Sequence, residues 1–380
     1  METLWMTALA TAMVHALVVS RWAMGWRRAM KNIREPRPLP SGSVPLFTVV
    51  IPCRNESANL ERLLSELQAM QATLPFSVLV LDDHSTDQTA AVARKHASAP
   101  RLLALPDTDF GKKSALLLAM KSVTTPWALS IDADVTLPPQ WAQTWQRHLM
   151  ETTSKTAAVA GPVIMSDGSQ TRWNEIQTLD FASQMGWAGS QIAFGHPASC
   201  SGANLAIRPE DYPDTRNMGP SGDDALVIQS LARQGNGVDM CWDPQLAVET
   251  PGAVTVQEWT HQRMRWAGKM AHYRGRARAT ALWMGWVAVM QMVLLMAMLK
   301  EPAQAALLSF CYWGVISGLH IAFARQVMRR LGRWVSWLSW LMLAWTQPFQ
   351  APWLMLAKTG LLQFWGIEST ASWKGRTCAA

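Results

Sequence analysis

Charge is scarce in this 380-residue chain: Asp, Glu, Lys and Arg make up 16% of it, below the roughly 25% of soluble globular chains. Cysteine spacing is equally uninformative. Cys53, Cys200, Cys241, Cys311 and Cys378 are scattered, with no C-x-x-C and no Cys/His pattern. Neither a disulfide framework nor a zinc site is therefore expected, which suits a cytosolic face. No GxGxxG and no GxxxxGK[ST] occurs, so a dinucleotide-binding or P-loop NTPase reading has no support. The net charge of +7 does not indicate nucleic acid, because the basic residues cluster beside apolar segments. That is a pattern of membrane topology and not of a groove-tracking patch.

What the chain does have is 21 Trp and 22 Met, an excess suited to membrane interfaces and buried apolar helices. Residues 4–20, LWMTALATAMVHALVVS, are long enough to span and are followed by the basic RWAMGWRRAMKNIR. A cleaved signal peptide carries its positive charges before the apolar run, so the order here predicts a signal anchor. Residues 280–299, preceded by RGRAR, and 303–324, followed by RQVMRRLGR, read as two further spans. All these basic clusters then lie on one side, which predicts a multi-pass protein of the cell membrane with residues 40–270 in the cytoplasm. The last apolar stretch contains Pro348 and Pro352 and leaves open one kinked span, a re-entrant pair or two short spans. The expected organisation is an anchor over 1–22, a Pro-rich linker over 23–45, a cytosolic domain over 46–270, about three spans over 271–365 and a tail over 366–380.

Between the anchors the pattern alternates. LFTVVIP, FSVLVLDD, RLLALPD and PWALSIDAD read as strands; SANLERLLSELQAM, STDQTAAVARKHA and GKKSALLLAMKSV read as helices, with Ser57 as the N-cap of the first. This predicts an α/β fold with a mostly parallel sheet covered by helices on both faces. Ligands in such sheets sit beyond the carboxyl ends of the strands, where Glu56, Asp82, Asp83, Asp132 and Asp134 fall. Carboxylates crowded together repel unless a cation separates them. Hard oxygen ligands select Mg²⁺ or Mn²⁺, and Mg²⁺ is usually shared with substrate phosphates. Lys112 and Lys113 open the third helix, where a cation and free N–H groups can meet an anion.

Seven segments in order resemble the family 2 glycosyltransferases, whose fold is the GT-A nucleotide-diphospho-sugar transferase fold: VVIPCRNESANL, LVLDDHSTDQT (His84 standing where Gly is more usual), GKKSALLLAM, IDADV, SGANLAIRP, SGDDALVIQSL and QRMRW. The resemblance covers about residues 46–268. It implies nucleotide-sugar binding by Pro52, Glu56, Asp82, Asp83, Lys112, Asp132 and Asn204, and a divalent metal, Mg²⁺ or Mn²⁺, held by Asp134 with Asp132. It implies Asp224 as the general base, inversion at the anomeric carbon, and stabilisation of the leaving diphosphate by the metal and Arg265. Gln262, Arg265 and Trp266, at i, i+3 and i+4, share one helix face.

Several residues have plainer readings. His84 is read as structural or nucleotide-adjacent, Asp223 as a neighbour of the active carboxylate or a helix cap, and Asn204 equally as a turn residue. Trp266 has an interfacial belt residue as its alternative. His15 and His320, inside apolar spans, are read as helix contacts, and Trp373–Arg376 as an interfacial anchor. The expected partners are a nucleotide-sugar donor, a lipid acceptor and the membrane, with no nucleic acid. A processive polysaccharide synthase is the alternative, and a non-catalytic nucleotide-sugar-binding membrane protein a weaker one. A transporter is disfavoured by the large insert and by the lack of ionisable residues at mid-span.

Overall fold

Residues Phe47–Cys53, FTVVIPC, combine β-branched and apolar side chains and form a strand buried along almost its whole length. Around it the expected alternation appears. The computed structural model describes residues 1–31, 45–166, 168–169, 171–216, 218, 224–270, 272–358, 372–373 and 376–377. Its helices are α1 (Glu2–Lys31), α2 (Ser57–Gln71), α3 (Thr89–Lys95), α4 (Gly111–Ser122), α5 (Trp141–Met150), α6 (Arg172–Ala193), α7 (Ala225–Arg233), α8 (Val256–Met270), α9 (Gly275–Ala297), α10 (Pro302–Arg330) and α11 (Trp337–Lys358). Its strands are β1 (Phe47–Cys53), β2 (Ser77–Asp82), β3 (Arg101–Ala104), β4 (Trp127–Ser130), β5 (Thr156–Ala160), β6 (Val163–Met165), β7 (Leu205–Ile207), β8 (Gly237–Met240), β9 (Val248–Thr250), β10 (Ser372–Trp373) and β11 (Arg376–Thr377).

The chain divides into two compact units. The first comprises Arg28–Asp167 and Gln191–Pro251 and is built on a seven-stranded sheet of order β3-β2-β1-β4-β7-β5-β8. β1 runs parallel to β2 and β4, and β2 to β3; β7 alone is antiparallel to both its neighbours, β4 and β5. The sheet is therefore mostly parallel, as its buried apolar strands require. β6 and β9 pair separately, in parallel. Ser57 is not the N-cap of α2. Glu56 occupies that position, and the Ser57 N–H donates to Asp87 Oδ2 at 3.1 Å.

The second unit comprises Met1–Arg27, Gly168–Ser190 and Gly252–Ala380. Three of its helices, α1, α9 and α10, are long and apolar enough to cross a membrane. Two of them, α9 and α10, follow the glycosyltransferase-like segments. α11 continues unbroken through Pro348 and Pro352, whereas residues 359–365 of the expected span lie outside the described residues. α1 also extends to Lys31, beyond the expected end of the anchor at residue 22, because Trp22 and Trp26 are buried and hold this turn in the helix. The rest of the expected linker, from residue 32 to 44, lies outside the described residues.

The expected contiguous domain 46–270 is divided, since α6 and α8 belong largely with the apolar helices. The physical reason is close packing: a Cβ on Gly186 of α6 would lie 2.4 Å from Val327 of α10. His15 and His320 do form a helix contact. Their Nε2 atoms are 3.0 Å apart, and the Trp283 indole N–H donates to His15 Nδ1 at 3.2 Å. Trp373 and Arg376 pair across a two-stranded antiparallel ladder; Lys374 and Gly375 between them lie outside the described residues.

Candidate active site

Parallel strands deliver their carboxyl ends to one edge of a sheet. β1 and β2 end in register, Cys53 beside Asp82, with Pro52 beside Leu81. Just beyond, Asn55 and His84 take left-handed backbone conformations, φ 53° and 54°, which bend the two loops towards each other. Asn55 Oδ1 accepts from the Thr86 N–H at 2.8 Å, and the Glu56 N–H donates to Thr89 Oγ1 at 2.8 Å. Arg54 donates to the carbonyls of Asp83 and His84 at 2.9 and 3.3 Å.

Asp83 is 2% exposed. Its Oδ2 accepts from the Gly111 N–H at 3.0 Å, so the carboxylate ties the end of β2 to the start of α4. Its Oδ1 lies 3.1 Å from His84 Nδ1, and the His84 ring packs at a tilt against Phe110, with centroids 4.7 Å apart. Asp82 Oδ1 accepts from the Ser85 N–H at 3.3 Å. Glu56 Oε2 accepts from Asn59 at 2.7 Å. Glu56, Asp82 and Asp83 thus share a hydrogen-bonded rim, and His84 is part of it.

The rim continues to the two aspartates after β4. Lys112 Nζ, in the first turn of α4, lies 2.6 Å from Asp132 Oδ1. Asp134 is clamped by its backbone instead: Arg62 of α2 donates to the carbonyls of Asp134 and Val135 at 3.2 and 2.9 Å. Arg62 also pairs with Glu66 at 2.6 Å, and Glu66 Oε2 accepts from the Leu137 N–H at 3.1 Å. The Arg62–Glu66 pair is visible in the sequence as an i, i+4 ion pair, but its partner loop is not.

The Asp134 carboxyl is left with Oδ1 buried and without a hydrogen-bond partner. Burial and the neighbouring Asp132 charge push it up to about 6, against the opposing pull of Lys112 and Arg62. An acidic oxygen held in this state fits a divalent cation. Among the described residues no group of three or more His, Cys, Asp or Glu side chains is arranged to hold one. Asp134 and Asp132 are the carboxylates here that could hold one.

Asn204 belongs elsewhere. It is fully buried, its Nδ2 donates to the carbonyls of Pro162 and Leu246 at 3.0 and 2.7 Å, and its Oδ1 accepts from Trp141 and Trp145 at 3.3 and 3.1 Å. Two donors and two lone pairs are all an Asn side chain offers, so nothing remains for a sugar or nucleotide. The expected ligand role is replaced by a structural one.

Asp224 is the N-cap of α7, and its Oδ1 accepts from the Ala225 N–H at 2.5 Å. The capping role is thus its own; Asp223 lies outside the described residues. In the other unit, Gln262, Arg265 and Trp266 all lie on α8, so the expected helical spacing holds. Trp266 packs against Phe181 at 5.6 Å. Arg263, within the same segment, is the buried arginine of α8, ion-paired with Asp180 at 2.6 Å. Sequence reasoning passed over both; an aspartate within the apolar-aromatic stretch LDFASQMGW was the available signal.

Comparison with known proteins follows the same lines. Residues 48–204 match the family model described as Glycosyl transferase family 2, and residues 127–357 that described as Glycosyl transferase family group 2. A 131-residue segment is 36% identical to validoxylamine A glucosyltransferase of Streptomyces hygroscopicus subsp. limoneus, covering 33% of this chain and 26% of that protein. A 93-residue segment is 37% identical to 4,4'-diaponeurosporenoate glycosyltransferase of Staphylococcus aureus, covering 24% of each. The chain thus spans about a quarter of the length of these curated relatives. A mannosyltransferase from Pyrobaculum calidifontis, solved with GDP-Man and Mn²⁺, shares the fold, with a TM-score of 0.53 at 16% identity over 97% of this chain and 99% of that one.

Proposed function

The chain belongs to the family 2 glycosyltransferases, and from that membership we propose that it transfers a single sugar from a nucleotide-sugar to a lipid acceptor at the cytoplasmic leaflet of the membrane. The observation that carries the choice of acceptor is the helix count. Three helices among the described residues are long and apolar enough to cross a membrane, few for a channel that must enclose a growing polymer. They suffice to hold the enzyme where a lipid hydroxyl arrives. The relative named for 4,4'-diaponeurosporenoate supports an acceptor that is not a polymer.

In this reading the rim of Pro52, Glu56, Asp82 and Asp83 takes the nucleoside, and Lys112 the diphosphate. Asp132 and Asp134 would hold Mg²⁺ or Mn²⁺, which when bound offsets the negative charge of the diphosphate. The orphaned Asp134 oxygen supports this assignment. Asp224 removes the proton from the acceptor hydroxyl as its oxygen attacks the anomeric carbon. The bond from that carbon to the diphosphate breaks with inversion, and its electron pair leaves on the phosphate oxygen. Arg265 stabilises that charge, with Gln262 and Trp266 beside it in sequence to orient the reactants.

The test is to incubate membranes containing the protein with a panel of radiolabelled nucleotide-sugars. Label is expected to enter the organic-solvent extract in discrete, small products. Label retained as high-molecular-mass, solvent-insoluble material would instead establish a processive synthase.

A further inference from the structure

Between Gln262 and Arg265 lies Arg263, to which the roles above give no work. It is 7% exposed, although an arginine is almost never fully buried unless paired. Its ion-pair partner is Asp180 of α6, whose Oδ2 lies 2.6 Å from Nη2 and accepts a hydrogen bond from Gln184 at 3.1 Å. The guanidinium carbon is 4.7 Å from the centre of the Trp266 ring and 5.5 Å from that of Trp259. Trp259, Arg263 and Trp266 stand at i−4, i and i+3, so one stripe of α8 places the cation within stacking range of two indoles. Phe181, adjacent to Asp180, packs on Trp266, and Trp173 meets Trp259 edge-on at 6.3 Å. Arg263 Nε and Nη2 are both buried without a hydrogen-bond partner, so the contact with Asp180 is an ion pair only. Charge and ring packing, and not a complete hydrogen-bond fork, therefore fix the guanidinium.

Stability alone gives little reason for such a pair. Well-packed apolar residues of similar volume do as well or better, because two desolvated charges recover little more than they lose. What an Arg–Asp pair adds is a fixed orientation: the planar guanidinium sets the plane of the ring it faces. We propose that Asp180 and Arg263 are positioning residues that hold the Trp266 indole, and with it the adjacent Arg265, in the geometry that sugar transfer needs. The proposal rests on the assignment of Gln262, Arg265 and Trp266 to the reaction.

The test compares full-length wild type with Arg263→Lys, Asp180→Asn and the double variant Asp180→Asn/Arg263→Met. UDP-glucose and GDP-mannose serve as labelled donors, and kcat, donor KM and melting temperature are measured for each protein. Arg263→Lys keeps the charge for Asp180 but loses the planar face, and the double variant removes both charges together. Both are expected to fold. Both should lose kcat on the order of 10²-fold, the size of a small misplacement of reacting groups, with donor KM within about threefold of wild type. A purely structural pair behaves differently: kcat per folded molecule stays at the wild-type value in Arg263→Lys and in the double variant, and that result overturns the proposal. An unfolded Asp180→Asn leaves the comparison intact, since the other two variants decide it. Where wild type transfers from neither, the donor used by wild type in the panel above takes their place; a panel with no active donor counts against the glycosyltransfer assignment itself, and so is distinct from a defect confined to the variants.

Discussion

A buried carboxylate oxygen with no partner is costly, and Asp134 Oδ1 is one. Lys112 pairs directly with Asp132, and its pull on Asp134, with that of Arg62, does not offset burial and the Asp132 charge. Replacing Asp134 with Ala is therefore expected to abolish the metal-dependent part of nucleotide-sugar binding. Calorimetric titration with and without EDTA checks this, and equal affinities for wild type in the two conditions would refute the metal role. Asp224→Asn should behave in the opposite way, keeping donor affinity while turnover falls about 10²-fold or more. Asn204 makes the third contrast. Asn204→Asp would set a carboxylate against the carbonyls of Pro162 and Leu246 while Trp141 and Trp145 still donate to it. A loss of roughly 2–4 kcal/mol in unfolding free energy is expected from two buried hydrogen bonds turned repulsive. A melting temperature equal to wild type would return Asn204 to the ligand list. Gly161 supports the structural view, because a Cβ there would lie 2.2 Å from Asn204 Nδ2. None of this could be read from SGANLAIRP, since Trp141, Trp145, Pro162 and Leu246 are brought to Asn204 only by the fold.

The loop joining β2 to α3 shows how elements hold the site in shape. Asp87 is nearly exposed, and the little burial it has raises its pKa. Hydrogen bonds from Thr89 and Ser57 nevertheless bring its carboxyl down to about 2. A carboxylate depressed in the folded state stabilises the protein above its unfolded value near 4 and loses that contribution as pH falls towards 2. Asp87→Asn should therefore lower the melting temperature at pH 7 by an amount worth less than about 1 kcal/mol, small because the group is solvent-screened. The gap to wild type should narrow as the pH is lowered from 5 to 3, and a gap that widens on acidification would refute the linkage. The alternating strands and helices of this unit were legible because period and composition are local. The reversed direction of β7 was not, because LAI reads the same either way and only its pairing with β4 and β5 defines it. α6 was missed for a related reason. Its Asn174, Gln177, Thr178 and Asp180 are buried, so its polar residues face the interior and give no amphipathic signature.

At the scale of the whole molecule, attachment to the membrane has two possible physical bases: the net charge of +7, which anionic lipids attract, or apolar helices in the hydrocarbon. The packing of the second unit favours the helices. Ala8 of α1 joins Val287, Met290 and Leu294 of α9 and Leu308, Tyr312 and Ile316 of α10 in one apolar cluster, so the N-terminal helix is integrated with the later ones and is not a detachable tether. On their outer faces the same helices leave Leu17, Leu282 and Phe310 exposed to 71%, 66% and 66%, a cost in water that lipid tails remove. Charge alone would be screened within about 10 Å at 0.1 M salt and less at higher salt. Washing membranes with 1 M salt and then with alkaline carbonate should therefore leave the protein in the pellet, with only detergent releasing it. Release by either wash would show that the three helices do not cross the bilayer, and would move the acceptor argument from the lipid phase to the water.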